Sequence, residues 1–370
     1  MNQPLHTDAL READRLMTIC NACRYCEGLC AVFPAMEMRR TFAAGDLNYL
    51  ANLCHQCGAC YPDCQYAPPH EFNVNIPATM AKLRNESYAA YAWPGALSGL
   101  FQRNGVYVTL ATALSVAAFI AGFVAWSDPA ALFSPVAGDF YRLMPHNAMA
   151  GLFGAVALYC ILAFVMSLTA FWRDINGPQS APGVAGFFRA LGDTFHLTYL
   201  HGGGGGCTSE GGDAPSPSRR LFHHFTFYGF LFCFAATSVA TLYHYAFGWR
   251  APYALVSAPV VLGTIGGIGL IVGPLGLLML QAKRDPVLTD TAHRGMSTAF
   301  ILMLFLTGVT GLLLLALRDT AAMGMLLAIH LGFVMGLFLS LPYGKFMHGL
   351  YRFLALVKYA GERRSGAFIE

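Results

Sequence analysis

Eight cysteines before residue 65 fall into two copies of one spacing, Cys20-x2-Cys23-x2-Cys26-x3-Cys30 and Cys54-x2-Cys57-x2-Cys60-x3-Cys64. Three thiolates at three-residue intervals wrap three corners of an iron–sulfur cubane, while the fourth of each run ligates the other copy's cluster. The pattern therefore predicts two 4Fe–4S clusters, one held by Cys20, Cys23, Cys26 and Cys64, the other by Cys54, Cys57, Cys60 and Cys30. Structural zinc uses CxxC pairs separated by longer gaps and does not need eight thiolates so tightly set. Disulfides are disfavoured if this segment faces a reducing compartment. Ala31 and Gln65 stand where ferredoxin motifs carry proline after the fourth cysteine, which leaves ligation intact.

Histidines form the second set. His223, His224 and His244 fall on one apolar stretch, and His330 and His348 on another. Ionisable residues inside a membrane are functional candidates by default. The depths match in pairs: His244 with His330 toward one surface, and His348 with His223 or His224 toward the other. An 18-residue interval is five helical turns, so His330 and His348 are expected on one face of a single helix, with Pro342 between them as a source of a kink. Such pairs could hold one or two b-type haems, His244/His330 the outer and His348 with His223 or His224 the inner. His146, His196, His201 and His293 read as interfacial or surface histidines. Cys160 and Cys233 read as small buried hydrophobes.

These residues need a scaffold, and composition supplies its class. Of 370 residues, 56% are hydrophobic and 12% charged, against roughly 25% charged in soluble domains. Residues 1–103 carry 17 charged side chains and 104–370 only 26, which marks a boundary near Trp93-Pro94-Gly95. Beyond it, charge-free intervals predict six helices of spanning length at about 104–126, 146–171, 221–247, 255–281, 295–317 and 320–344. The expected fold is mostly α: a six-helix transmembrane bundle (96–370) with a small N-terminal ferredoxin-like cytoplasmic domain (1–95). If that domain is inside, twenty Lys and Arg lie inside and three outside, Arg142, Arg250 and Arg318. The positive-inside rule then places both termini in the cytoplasm. No signal peptide is read at the start, where Asp8, Arg11, Glu12, Asp14 and Arg15 interrupt any apolar core.

Asp8 to Thr18 is expected as a short helix. The inner loop 173–220 carries an amphipathic stretch, Val184 to Leu200, expected on the membrane surface. Gly202 to Gly206, before Cys207, is either a flexible linker or backbone pressed against another group. In the fourth span, Gly263, Gly266, Gly267, Gly269, Gly273 and Gly276 suit close helix packing, and a break at Gly273-Pro274 lining a pocket is the alternative. A net charge of +3 is too mild to argue for nucleic acid.

With these residues in view, the chain resembles the citrate-utilisation B family over nearly its whole length. The resemblance rests on the doubled cysteine motif, Arg219-Arg220-Leu221-Phe222-His223-His224, Tyr243-His244-Tyr245, His330-Leu331-Gly332, and Leu341-Pro342-Tyr343-Gly344-Lys345-Phe346 with His348-Gly349. It implies an electron shuttle in a bacterial-type inner membrane that oxidises the reduced FAD of a partner tricarballylate dehydrogenase. Electrons then pass through iron–sulfur clusters and haem toward membrane quinone. The histidine spacing also looks like the haem-binding subunit of respiratory nitrate reductase, in part. Two other readings stand beside the shuttle: the membrane subunit of another reductase, nitrate- or heterodisulfide-reductase-like, and a citrate or tricarballylate transporter with a redox-sensing domain. The absence of Asp and Glu from the predicted spans weighs against ion-coupled transport.

Overall fold

The computed structural model describes residues 7–126, 129–135, 139–176, 184–200 and 217–365. Among them every regular element is helical. Four helices build the amino-terminal part: α1 (Asp8–Cys23), α2 (Val32–Glu37), α3 (Ala44–Leu53) and α4 (Ile76–Ala90). Thr7 caps α1 by accepting from the Leu10 N–H at 3.2 Å. Ala9, Ala13, Leu16 and Met17, one stripe at helical spacing, are buried. Asn75 caps α4 in the same way through the Ala78 N–H.

Six helices are long and apolar enough to cross a membrane: Asn104–Trp126, His146–Asn176, Ser218–Phe247, Ala258–Lys283, Thr291–Ala316 and Met323–Tyr343. They comprise α5 (Asn104–Trp126), α6 (His146–Asn176), α8 (Ser218–Phe247), α9 (Ala258–Lys283), α10 (Arg294–Ala316) and α11 (Met323–Ser340). Two shorter helices complete the described residues, α7 (Val184–His196) between the second and third spans and α12 (Met347–Ser365) after the last span.

Small residues decide which spans touch. α9 runs unbroken through Pro274. A Cβ on Gly269 would stand 2.8 Å from the Phe225 carbonyl oxygen, and one on Gly273 2.4 Å from the Thr226 nitrogen. The fourth-span glycines therefore seat α8 directly against α9, the packing reading rather than a broken pocket. α10 lies on the other side of α9 through Gly308 and Gly267, and α11 packs on α5 where Gly332 meets Val116 and Gly336 meets Thr112.

The last span ends earlier than its hydropathy suggests. α11 stops at Ser340, a 3-10 turn covers Leu341–Tyr343, and α12 starts at Met347. Pro342 removes a backbone donor, and a Cβ on Gly344 would stand 2.8 Å from the Ser340 carbonyl oxygen. α5 satisfies the carbonyls this break frees: Tyr107 Oη donates to Leu339 at 2.7 Å, and the Asn104 amide donates to Tyr343. His330 and His348 therefore do not share a helix, and the expectation of one common face for them is corrected.

α12 returns to the amino-terminal part. The core built on Leu16, Met17, Met36, Leu47, Leu50 and Leu53 also contains Tyr351, Ala355, Leu356 and Val357 of α12, with Phe171 and Ile175 of α6. Arg39, 1% exposed, is held by Glu362 of α12 and by Asp46 at 2.7 Å. Residues 1–95 thus do not close their own core. α7 lies against α12, with Phe187 on the Phe353 ring at 5.5 Å. Gly202 to Gly206 and Cys207 lie outside the described residues.

Candidate functional site

The cysteine loops begin where helices end. Cys20 and Cys23 occupy the last turn of α1, and Arg24 turns the chain with φ 56°. Cys54 follows the last residue of α3, and Gln56 and Gly58 turn the second loop with φ 53° and 92°. Only glycine takes such angles without cost. Left-handed residues at these points curl each loop back upon itself, which turns the thiols of one run inward.

Two recesses result. One is lined by Cys20, Cys23, Cys26 and Cys64 with Ile19, Tyr25, Gln65 and Tyr66. The other is lined by Cys30, Cys54, Cys57 and Cys60 with Phe33, Gln56 and Tyr199. Each recess receives three cysteines of one run and the fourth of the other. Among the described residues no three His, Cys, Asp or Glu side chains converge tightly enough for a single ion. Four thiols spread around each recess, too far apart for three of them to hold one ion, suit a polynuclear body rather than a tetrahedral zinc with sulfur at about 2.3 Å.

The thiols are strongly shielded. Burial and the neighbouring Cys26, Cys64 and Cys23 push Cys20 up to about 12. Burial also raises Cys30 and Cys60. Metal must therefore displace protons to bind. Hydrogen bonds reach several of the sulfurs: the Gln65 amide donates to Cys23 Sγ at 3.5 Å, the Gln56 N–H to Cys54 Sγ at 3.4 Å, and the backbone N–H groups of Val32 and Phe33 to Cys30 and of Ala59 to Cys57.

The second recess meets the membrane half. Arg352, on α12, donates to the Cys54 carbonyl at 2.8 Å, and Arg219, on α8, donates to the Gln56 carbonyl at 2.6 Å. Each arginine stands four residues, one helical turn, from a histidine, His348 and His223 respectively. Those two rings stand edge to face with centroids 6.2 Å apart at 74°. A separation of that order would leave room for one metal atom bonded to a nitrogen of each ring at about 2 Å. His348 Nδ1 bonds the Lys345 carbonyl, which leaves Nε2 free to ligate. Burial, helped by Arg352 and Lys345, holds His348 well below its usual pKa, in the neutral form a metal requires. His223 Nδ1 is buried without a partner. The residues present at this pair fit a bis-histidine iron. His224 points elsewhere, toward Tyr228 at 5.7 Å between centroids.

His244 and His330 are arranged differently. His244 stacks on His146 at 3.6 Å, and His146 bonds Tyr141 at 3.2 Å and Tyr245 at 3.1 Å. His330 Nδ1 bonds the Thr310 hydroxyl at 2.9 Å. His244 and His330 make no ring contact, because α8 packs along α9 while α11 packs on α5 and α10. His146, read from the sequence as an interfacial or surface histidine, opens α6 beside the end of α8.

Comparisons with known sequences follow the same division. A family described as Citrate utilization protein B matches residues 99–368, and one described as Citrate utilization protein B Fer4-like domain matches residues 13–90. A protein of Escherichia coli named Citrate utilization protein B is 52% identical over 362 residues, 97% of this chain and 94% of that protein. No solved structure matches the chain.

Proposed function

The chain belongs to the citrate utilization protein B family, and from that premise we propose that it is a membrane-bound electron carrier drawing on a flavoprotein and delivering to quinone. The observation that carries this reading is the pair of recesses, each ringed by four cysteines drawn from both runs. The Fer4-like match over the same residues points to iron–sulfur chemistry. When bound, 4Fe–4S clusters and a b-type haem supply one-electron carriers. The chain's own residues position them. Cys20, Cys23, Cys26 and Cys64 hold the first cluster, Cys30, Cys54, Cys57 and Cys60 the second, and His223 with His348 the haem.

The Cys20 recess carries Tyr25, 64% exposed, at its mouth, so it is the side a donor protein reaches. The Cys54 recess is tied by Arg352 and Arg219 to the two helices that bear His348 and His223. A donor such as the reduced FAD of a tricarballylate dehydrogenase therefore meets one end of a line that runs into the membrane half. Twenty basic residues on the side of the termini against three on the other support a cytoplasmic donor and a bacterial-type inner membrane.

The test is reconstitution with that dehydrogenase. Adding tricarballylate to the pair should reduce the clusters, seen by low-temperature EPR, and then the haem, seen in a reduced-minus-oxidised spectrum. Iron-replete protein that a flavoprotein never reduces would sink the reading.

A further inference from the structure

Five basic side chains converge on the loop between Cys54 and Cys57. Arg84 donates to the Cys54 carbonyl at 2.6 Å and to the Gln56 side-chain oxygen at 2.8 Å. Arg352 donates to the same Cys54 carbonyl at 2.8 Å. Arg219 donates to the Gln56 carbonyl at 2.6 Å, and Arg284 to that same oxygen. Lys345 lies close enough to feel all four arginines, which together with burial push its ammonium well below its usual pKa.

Among the described residues no carboxylate forms an ion pair with any of the five. Arg84 is 2% exposed, and the Nε atoms of Arg84 and Arg352 are buried without an acceptor. Sequestering like charges together without a counter-charge is unfavourable, and backbone carbonyls only partly offset it. The groups in reach that can be negative are the thiolates of Cys54 and Cys57, which act on both Arg284 and Arg352. At the other recess the charges that act on Cys20 are those of Cys26, Cys64 and Cys23, and the neutral Gln65 amide donates to Cys23 Sγ.

An electron added to a cysteine-bound cluster adds negative charge, and fixed cations favour the state that carries more of it. Resting on the two-cluster reading above, we infer that Arg84, Arg219, Arg284 and Arg352 make the Cys30/Cys54/Cys57/Cys60 site the stronger electron acceptor of the two. The four arginines are positioning groups, acting through the thiolates. The step they bias moves one electron from the Cys20 site to the Cys54 site. The first is oxidised by one electron, the second reduced by one, no bond forms or breaks, and no proton moves. An electron that enters at the exposed recess therefore comes to rest beside the helices bearing His223 and His348.

The experiment is an EPR-monitored redox titration of the full-length protein in detergent. Two resolved 4Fe–4S signals are the requirement of the two-cluster reading, and fewer than two in iron-replete protein overturns that reading itself. With two present, unequal midpoints are expected in the wild type, and the higher-potential signal should be the one lost in Cys57→Ser. Arg284→Gln and Arg219→Gln should each lower that signal's reduced-to-oxidised ratio by about tenfold at fixed potential, 59 mV for a one-electron couple. The other signal should stay in place, and Arg284→Lys should restore the first. Equal midpoints, loss of the lower-potential signal in Cys57→Ser, or arginine variants that move both signals alike would each overturn the inference while leaving the clusters standing.

Discussion

His348 and Arg352 sit one turn apart on the same face of α12, so the imidazole set opposite His223 and the guanidinium bonded to the Cys54 carbonyl are carried by one rigid turn. Any shift of α12 moves both together. Replacing His348 or His223 with alanine should abolish b-type haem absorption, whereas His224→Ala should retain it, because His224 faces Tyr228. The measurement is the reduced-minus-oxidised spectrum per mole of protein. Equal loss in all three variants would refute the assignment.

The crossing of the two cysteine runs has its own signature. Cys30 lines the recess of Cys54, Cys57 and Cys60, not that of its sequence neighbours. Cys30→Ser should therefore alter the same EPR signal as Cys57→Ser and leave the one altered by Cys23→Ser. Similarly, Cys64→Ser should pair with Cys23→Ser.

Helix contact through glycine can be tested at α9. Gly269→Val puts a side chain where the Phe225 carbonyl oxygen and Gly229 Cα stand 2.8 and 2.9 Å from the new Cβ, and backbone cannot yield. Overpacking there should cost about 2 kcal/mol, read as a lower Tm in detergent. Gly151→Ala, with open space around it, should be neutral or stabilising by up to about 1 kcal/mol.

A pH-dependent clasp joins the two halves. Asp290 Oδ2 accepts from His293 Nδ1 at 2.7 Å and from the Asn85 amide of α4 at 2.8 Å. Burial alone would raise this carboxyl, but those bonds outweigh it and hold the pKa at about 2, against an ordinary 3.8. A depressed pKa means that the carboxylate's contribution to stability is complete above about pH 4 and is lost as pH falls toward 2. Asp290→Asn should therefore lower Tm at pH 6, and the gap from wild type should close as the medium is acidified. A gap that stays constant from pH 6 to pH 3 would show that Asp290 carries no such linkage.

Much of this architecture could be read before any coordinates. Six spans follow from charge-free runs, since a membrane tolerates little else over about 20 residues. The stretch opening at Val184 follows from periodicity, and the helix expected from Asp8 to Thr18 starts at Asp8 but runs on to Cys23. What escaped was set by local chemistry or by tertiary contact. Hydropathy continues through Leu341-Pro342-Tyr343, so the break that puts His348 on α12 is visible only to someone who weighs Pro342 and Gly344 above apolarity. The arginine nest left a faint trace, Arg219 and Arg352 each four residues from a histidine, but Arg84 and Arg284 join it through the fold alone. The stacking of His146 on His244 depends on which helix ends meet at the far surface, and neither local sequence encodes that.

The burial of Tyr351, Ala355 and Leu356 of α12 in the amino-terminal core sets an order of assembly. At synthesis rates of about 5–20 residues per second, roughly 20–70 s separate the emergence of Cys20 from that of Tyr351. Throughout that interval the cysteine-bearing part lacks one wall, and six helices must enter the bilayer before the wall arrives. The segment made first is therefore finished last. Its core closes only after the membrane half is in place, so a nascent chain halted before α12 leaves that core open on the side where Tyr351, Ala355 and Leu356 pack.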